Sequence, residues 1–320
     1  MVAGAYRRRQ SLAYFPMKDT GSSAILPETP STEARVETGP GAGFDAGRQD
    51  AGETSRAAQG APHDASILPV RLLRFLPRAV VVTLMVLAGL VLVGTVYPLV
   101  GAGGRDRLNR GWSRCLLRVC GVRVTVSGQP LMRGAVLVVA NHVSWLDIFV
   151  INAVRPTAFV AKSEIRRWPI VGRLVAGAGT LFLQRGHRHA IHTVGEAMKA
   201  RFANGESVGL FPEGTTTEGF SLLPFHGSLL EPARQAGVPI QPVALRFLRH
   251  GKRDSFAAFV GEETLVGNLW RILGTRGLAV ETAYLPPLQV DTAHTRLKMA
   301  ADARAIIERE LAGEPPARGH

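Results

Sequence analysis

The chain has 320 residues, of which 38 are Lys or Arg and 25 are Asp or Glu, and its formal net charge is +13. A hydrophobic share of 46% is enough to bury a core, so the composition excludes wholesale disorder. Two cysteines, Cys115 and Cys120, are too few for a disulfide framework or a cysteine-built metal site. The basic excess is compatible with nucleic acid, a membrane surface or an anionic substrate.

The first part of the chain has the composition of a tail. Residues 1–66 are rich in Gly, Ala, Ser, Thr, Pro and Glu without a sustained apolar period, so a disordered segment is predicted. Residues 79–104 then form a run of twenty-six residues without a charge. Because about twenty apolar residues span a bilayer core as a helix, we predict a membrane anchor helix over 67–104. Pro98 and the glycines that follow it leave a shallow or re-entrant anchor as the alternative.

Arginines flank the apolar run unequally, with three before it and six after it. This asymmetry favours an inner-membrane protein whose C-terminal body lies on the cytoplasmic side. In residues 105–119 arginines alternate with apolar side chains at helical spacing. Two interpretations stay open: a basic helix that lies on anionic headgroups, or a core-facing helix with a solvated basic face.

Short apolar runs alternate with helical patterns in the rest of the chain. Strands are predicted at 122–127, 135–140, 157–161, 180–183, 207–211, 239–246 and 278–284. Helices are predicted at 187–203, 225–236 and 291–312, the last with Asp291 as its N-cap. Strands interleaved with helices are typical of an α/β fold. We therefore predict one catalytic domain over 105–312 and a disordered C-terminus at 313–320.

One segment combines a histidine with a carboxylate where a strand gives way to a helix. In residues 141–147 (NHVSWLD), His142 and Asp147 are five positions apart. A carboxylate that folds back to one imidazole nitrogen fixes the tautomer and leaves the other nitrogen as an acceptor. Such an imidazole is a suitable general base toward an alcohol.

A second segment, residues 211–219 (FPEGTTTEG), also follows an apolar strand. Its first four residues form a turn with the carboxylate of Glu213 at the tip. The three threonines after the turn offer hydroxyls that can bind an oxyanion or a polyol. Alone, this pattern is more typical of a plain turn at the end of a strand.

Together the two segments resemble a known family. NHVSWLD is similar to the Asn-His-x4-Asp motif of the lysophospholipid and glycerol-phosphate acyltransferases, and FPEGTTTEG is similar to their Phe-Pro-Glu-Gly-Thr motif. Residues 179–185 (GTLFLQR) and 238–243 (VPIQPV) resemble two further blocks of that family. The resemblance covers about residues 105–250, with four blocks in the family's order.

The resemblance implies a mixed sheet flanked by helices and a transfer of a fatty acyl group to a lysolipid hydroxyl. The donor is a thioester of coenzyme A or acyl carrier protein, and no bound cofactor or metal is implied. His142 is implied as the general base and Asp147 as its orienting partner. Acceptor binding is implied for five residues: Arg185, Glu213, Gly214, Thr215 and Thr216.

Thr216 departs from one branch of the family. Many members that make phosphatidic acid carry an arginine at this position, which suits a phosphate because it is a bidentate, permanent cation. The Thr-Thr variant resembles the pattern expected in lyso-ornithine-lipid acyltransferases. Two acceptors therefore stay open, with 1-acylglycerol-3-phosphate as the first choice and a lyso-ornithine lipid as the alternative.

Two other classes of function compete with an enzyme. A nucleic-acid binder needs a basic stripe with interleaved aromatic residues, and no such stripe is evident in a chain with 7% aromatic residues. A membrane scaffold with vestigial motifs is disfavoured by the intact His142, Asp147 and Glu213. The expected partners are thus a lysolipid, an acyl thioester and an anionic membrane, with no nucleic acid.

Overall fold

The computed structural model describes residues 68–184, 188–290 and 295–313. Within these ranges eight α-helices are formed: α1 (Leu68–Thr95), α2 (Ala102–Val119), α3 (Leu146–Val154), α4 (Val171–Gly177), α5 (Arg188–Ala203), α6 (Glu231–Gln235), α7 (Leu265–Leu273) and α8 (Arg296–Ala312). The described strands are β1 (Val122–Gly128), β2 (Val136–Ala140), β3 (Ala158–Lys162), β4 (Leu181–Leu183), β5 (Ser207–Leu210), β6 (Ile240–Arg249), β7 (Lys252–Arg253) and β8 (Leu278–Tyr284). The tails predicted at 1–66 and 313–320 fall outside the described residues, except for Gly313.

The strands form one mixed sheet in the order β1-β8-β6-β2-β5-β3-β4, with β7 paired to β6. From β6 to β4 the neighbours are parallel, whereas β8 runs antiparallel to β6. Parallel neighbours need crossover connections, and the helices supply them. The predicted α/β class, with a mixed sheet flanked by helices and an N-terminal apolar helix, is confirmed.

Each face of the sheet is covered by its own helices. One apolar core packs the sheet against side chains of α1, α2, α3 and α7. The other core packs it against α5, α6 and α8. β2, which lies near the middle of the sheet, is buried along its whole length and reads as a continuous apolar run for that reason.

The anchor predicted as one helix over 67–104 is two helices. α1 ends at Thr95 and α2 begins at Ala102, with Gly101 as its N-cap. Pro98 explains the interruption, because the residue before a proline is disfavoured in the helical region. The predicted domain boundary at residue 105 therefore falls inside α2.

The predicted strands agree with the observed ones to within a few residues, but two helices are shorter than predicted. α6 covers only Glu231–Gln235 of the predicted 225–236, since Pro232 cannot donate a backbone hydrogen bond and marks a helix start. α8 begins at Arg296, where the Thr295 side chain accepts the backbone N–H of Lys298.

Candidate active site

The two motif loops lie side by side at one edge of the sheet. β2 and β5 are parallel neighbours, paired from Val136 with Ser207 to Val139 with Leu210. Their carboxyl ends therefore meet at the same edge, which is where ligand sites form in open α/β sheets. The first motif follows β2 directly and the second follows β5 directly.

The carboxylate of Asp147 organises the first loop. It is fully buried, and its Oδ2 lies 2.7 Å from Nδ1 of His142. The same oxygen accepts the backbone N–H groups of Val143 at 2.7 Å and Ser144 at 3.0 Å. The other oxygen, Oδ1, is buried without a partner among the residues that the structure describes. Three converging donors hold the carboxylate against the imidazole.

These contacts assign the tautomer of His142. An acceptor carboxylate can bond only to a ring nitrogen that carries hydrogen, so Nδ1 is the protonated nitrogen. Nε2 is then an acceptor, and within the described part of the chain it makes no hydrogen bond. The His142 side chain is 20% exposed. The geometry is that of a general base held by a carboxylate.

Glu213 fixes the backbone of the first loop from the second. Its Oε1 accepts the N–H of His142 at 2.8 Å, and its Oε2 accepts the N–H of Leu223 at 3.0 Å. Burial raises the pKa of this carboxyl, and the two backbone hydrogen bonds oppose that shift. Gly214 completes the turn with φ +72°, and its N–H donates to the carbonyl of Phe211. Oε1 therefore joins the two loops, and Oε2 fixes the segment that follows the second motif.

One face of the imidazole is covered by an aromatic ring. Phe211 stacks on His142 with ring centroids 4.0 Å apart and planes 9° apart. Phe159 stacks in turn behind Phe211, with centroids at 5.2 Å. This stack restrains the imidazole plane and keeps water from that face. The sequence marks Phe211 as the end of a strand and the first residue of the second motif, and neither predicts its contact with His142.

The three threonines of the second motif differ in their surroundings. Thr215 is exposed. The hydroxyl of Thr216 donates to the carbonyl of Phe259, which belongs to a distant loop. Thr217 donates its backbone N–H to the carbonyl of His142 at 2.8 Å, with its hydroxyl 3.3 Å from the same oxygen. Thr217, to which the motif assigns no role, is thus another tie between the loops.

Asn141 is a second residue whose role the sequence did not reveal. Its side chain is fully buried and lies against β6. Nδ2 donates to the carbonyl of Leu245 at 3.0 Å, and Oδ1 accepts the N–H of Leu245 at 2.8 Å. The Asn141 side chain thus pairs with both backbone groups of Leu245. This pairing fixes the backbone position at the end of β2, just before His142.

Of the predicted acceptor-binding residues, Arg185 lies outside the described residues. β4 ends at Leu183, at the same sheet edge as the two loops, because it is parallel to β3. Three other basic side chains at or just after the carboxyl end of β3 are exposed: those of Lys162, Arg166 and Arg167. The described residues contain no group of three or more His, Cys, Asp or Glu side chains that could hold a metal ion.

The fold and these loops define an α/β protein with a carboxylate–imidazole pair at the carboxyl edge of a mixed sheet. The family model described as "Acyltransferase" matches residues 123–246, which include both loops. The chain is 39% identical over 210 residues to the lyso-ornithine lipid O-acyltransferase of Pseudomonas aeruginosa, across 65% of this chain and 80% of that protein. The chain belongs to the acyltransferase family.

Two further comparisons agree. The 1-acyl-sn-glycerol-3-phosphate acyltransferase of Neisseria gonorrhoeae is 40% identical over 159 residues, which cover 49% of this chain and 61% of that protein. The crystal structure of the 1-acyl-sn-glycerophosphate acyltransferase of Thermotoga maritima matches with a TM-score of 0.57 and 20% identity. That match covers 78% of this chain and 98% of the other, and it supports the fold.

Proposed function

We propose that this protein is a membrane-associated O-acyltransferase whose catalytic domain, residues 105–312, esterifies the free hydroxyl of a lysolipid with a fatty acyl group from a thioester. The observation that carries the proposal is the His142–Asp147 pair, with Nδ1 bonded to the carboxylate at 2.7 Å and Nε2 left as the acceptor. The donor is acyl-coenzyme A or acyl carrier protein. Neither choice is favoured by the described side chains.

His142 acts as the general base in a direct transfer. Its Nε2 takes the proton of the acceptor hydroxyl while the hydroxyl oxygen attacks the thioester carbonyl. A carbon–oxygen bond forms, the carbon–sulfur bond breaks, and the departing thiolate receives the proton from the imidazolium. The positive charge that appears on His142 lies beside Asp147, which stabilises it in the transition state.

For the acceptor, we propose a lyso-ornithine lipid ahead of 1-acylglycerol-3-phosphate. This reverses the order that the sequence alone favours. Thr216 supplies no cation, and its hydroxyl is bonded to the carbonyl of Phe259. A phosphate is best bound by a permanent cation such as arginine. The relative with the longer match is also a lyso-ornithine lipid O-acyltransferase. Arg185, which is two residues after the end of β4 in the sequence, is proposed to contact the headgroup of either acceptor.

A comparison of acceptors tests this proposal. Purified protein is given labelled acyl-coenzyme A with each lysolipid, and kcat/KM is measured for the wild type, Thr216→Arg and Thr216→Ser. We expect the wild type to prefer the lyso-ornithine lipid and Thr216→Arg to shift the ratio toward 1-acylglycerol-3-phosphate, while Thr216→Ser keeps the wild-type ratio. A wild type that prefers 1-acylglycerol-3-phosphate contradicts the choice of acceptor. No ester with any lysolipid, from either thioester donor, contradicts the proposed reaction itself.

The mode of membrane association follows from α1, which is long and apolar enough to cross a bilayer. It carries two apolar stripes, each with members three or four residues apart, as on one face of a helix. The stripe packed against the domain comprises Phe75, Ala79, Val82, Met85, Gly89 and Val93. The stripe exposed to the outside comprises Leu73, Leu76, Val80, Leu84, Leu87 and Val91.

The packed stripe disfavours a spanning helix. From Phe75 to Val93 it extends about 27 Å, nearly the thickness of a bilayer core. A spanning α1 would therefore draw its neighbours α2, α4 and α7 into the hydrocarbon. α2 alone carries five arginines, and charges at that depth are costly. We propose that α1 lies in one leaflet with its exposed stripe toward the lipid, on the cytoplasmic side.

A topology reporter inserted before Leu68 tests this arrangement. If α1 lies in one leaflet, that reporter and one fused to the C-terminus report the same, cytoplasmic side. A reporter before Leu68 that lies on the opposite side contradicts the proposal, because only a spanning helix places it there.

A further inference from the structure

The loop that carries His142 and leads to Asp147, in the first turn of α3, is also tied to α7. Between these two residues stands Trp145, a half-buried side chain whose indole Nε1 donates to Oδ1 of Asn268 at 2.8 Å. Asn268 is fully buried in the middle of α7. The bond joins positions 123 residues apart in the chain.

The amide of Asn268 has a defined orientation. Its Nδ2 donates to the carbonyl of Ala258 at 3.1 Å and to Oε2 of Glu263 at 2.8 Å. If Nδ2 and Oδ1 were exchanged, the NH2 group would face the indole N–H, which is also a donor. Oδ1 would then face the Ala258 carbonyl and the Glu263 carboxylate, which are both acceptors. Oδ1 is therefore held toward Trp145, and the indole has a fixed partner.

The segment around Ala258, which Asn268 contacts, also holds the loop between His142 and Asp147 at a second point. Phe259, next to Ala258, donates its backbone N–H to the carbonyl of Val143 at 2.9 Å. Asn268 thus supports the loop directly, through Trp145, and indirectly, through the segment that contacts Val143. Glu263 and Ala258 also accept from Arg271 at 2.8 Å, so this segment has support beyond Asn268.

We propose that Asn268 is a positioning residue for the acyl transfer, acting through Trp145 on the loop between the base and its carboxylate. This inference rests on the proposed role of His142 and adds a residue outside both motifs. Small displacements of a catalytic group lower the rate of the chemical step far more than they weaken substrate binding. Loss of the Trp145–Asn268 bond should therefore lower kcat and leave KM for the lysolipid nearly unchanged.

A double-mutant cycle tests the proposal. Trp145→Phe removes the indole N–H, and Asn268→Leu removes its acceptor at similar volume. Since a neutral hydrogen bond is worth on the order of 1 kcal/mol, we expect Trp145→Phe to lower kcat about fivefold. Asn268→Leu should lower it by about tenfold or more, because it also releases Ala258. In the Asn268→Leu background, Trp145→Phe should have no further effect on kcat.

Trp112→Phe is the matched control, because Trp112 lies on α2 and makes the same chemical change away from the loop. It should keep the wild-type kcat, and all variants are compared at temperatures below their Tm values. The proposal is overturned if Trp145→Phe costs the same factor in both backgrounds, if only KM changes, or if kcat stays at the wild-type value. A wild type without acyl transfer to any lysolipid overturns the proposed function instead, so the two failures are distinguishable.

Discussion

Replacement of Asp147 by asparagine probes the carboxylate–imidazole pair without removing an atom from the buried loop. The asparagine Oδ1 can take the position of the carboxylate Oδ2 and keep accepting from His142, Val143 and Ser144. The side-chain NH2 then occupies the position of the carboxylate Oδ1, which is buried without a partner among the described residues. The substitution thus keeps the geometry, removes the charge and buries an unsatisfied donor.

The expected magnitudes differ for folding and for catalysis. Hydrogen bonds to a charged group exceed neutral ones by about 1 kcal/mol each, so three bonds give a loss of about 2–3 kcal/mol in the free energy of unfolding. The loss in catalysis is larger, because the imidazolium forms next to Asp147 only in the transition state. A comparable change in a Ser-His-Asp site lowers kcat about 10⁴-fold, and we expect a fall of about 10³-fold or more, equivalent to ~4 kcal/mol.

The assay is acyl transfer from labelled acyl-coenzyme A to the preferred lysolipid, with kcat and KM measured separately. Thermal unfolding in the same detergent gives the stability of each variant. Asp302→Asn, which neutralises an exposed carboxylate paired with Lys298 on α8, is the control and should keep kcat and Tm. Folded Asp147→Asn with more than a tenth of the wild-type kcat would refute the role assigned to the carboxylate.

Three further changes test other contacts. Glu213→Gln should remove one of the two backbone bonds and lower kcat about tenfold. Burial raises the pKa of Glu213 in the folded state above its value of about 4.3 in the unfolded state. The wild type should therefore lose stability relative to Glu213→Gln as the pH rises from the unfolded-state pKa through the folded-state pKa. Urea unfolding across that pH range measures this loss. Gly219→Ala places a Cβ 2.9 Å from a side-chain atom of Val143, at a φ of +83°. The free energy of unfolding should fall by about 1–3 kcal/mol, which a lower Tm will show. Gly89→Ala places a Cβ 2.7 Å from the Trp112 ring and should weaken the packing of α1 on the domain. Faster proteolysis at the amino end of α1 would show this.

Sequence reasoning was most successful where the signal is local. A histidine and an aspartate five residues apart, at the end of an apolar strand, were expected to form a hydrogen bond, and they do at 2.7 Å. The strands were located for the same reason, since a buried parallel strand such as β2 is a continuous apolar run. The order of the motifs sufficed to place both loops in one family.

Contacts between distant parts of the chain could not be predicted. Nothing near Asn141 in sequence indicates that it bonds to Leu245, and nothing near Trp145 indicates Asn268. How α1 lies relative to a membrane could not be predicted for a related reason. An apolar run shows that a helix avoids water, but it does not distinguish a face packed on protein from an apolar face left exposed, and α1 has both.

The most direct test of the account is the rate of acyl transfer by His142→Ala. General-base catalysis contributes about 10²–10⁴-fold, so kcat should fall at least 100-fold while Tm and membrane binding stay close to wild type. His192→Ala, an exposed histidine on α5, is the matched control and should keep full activity. Folded His142→Ala with kcat within tenfold of the wild type would show that another group removes the proton, and the mechanism proposed for this site would be wrong.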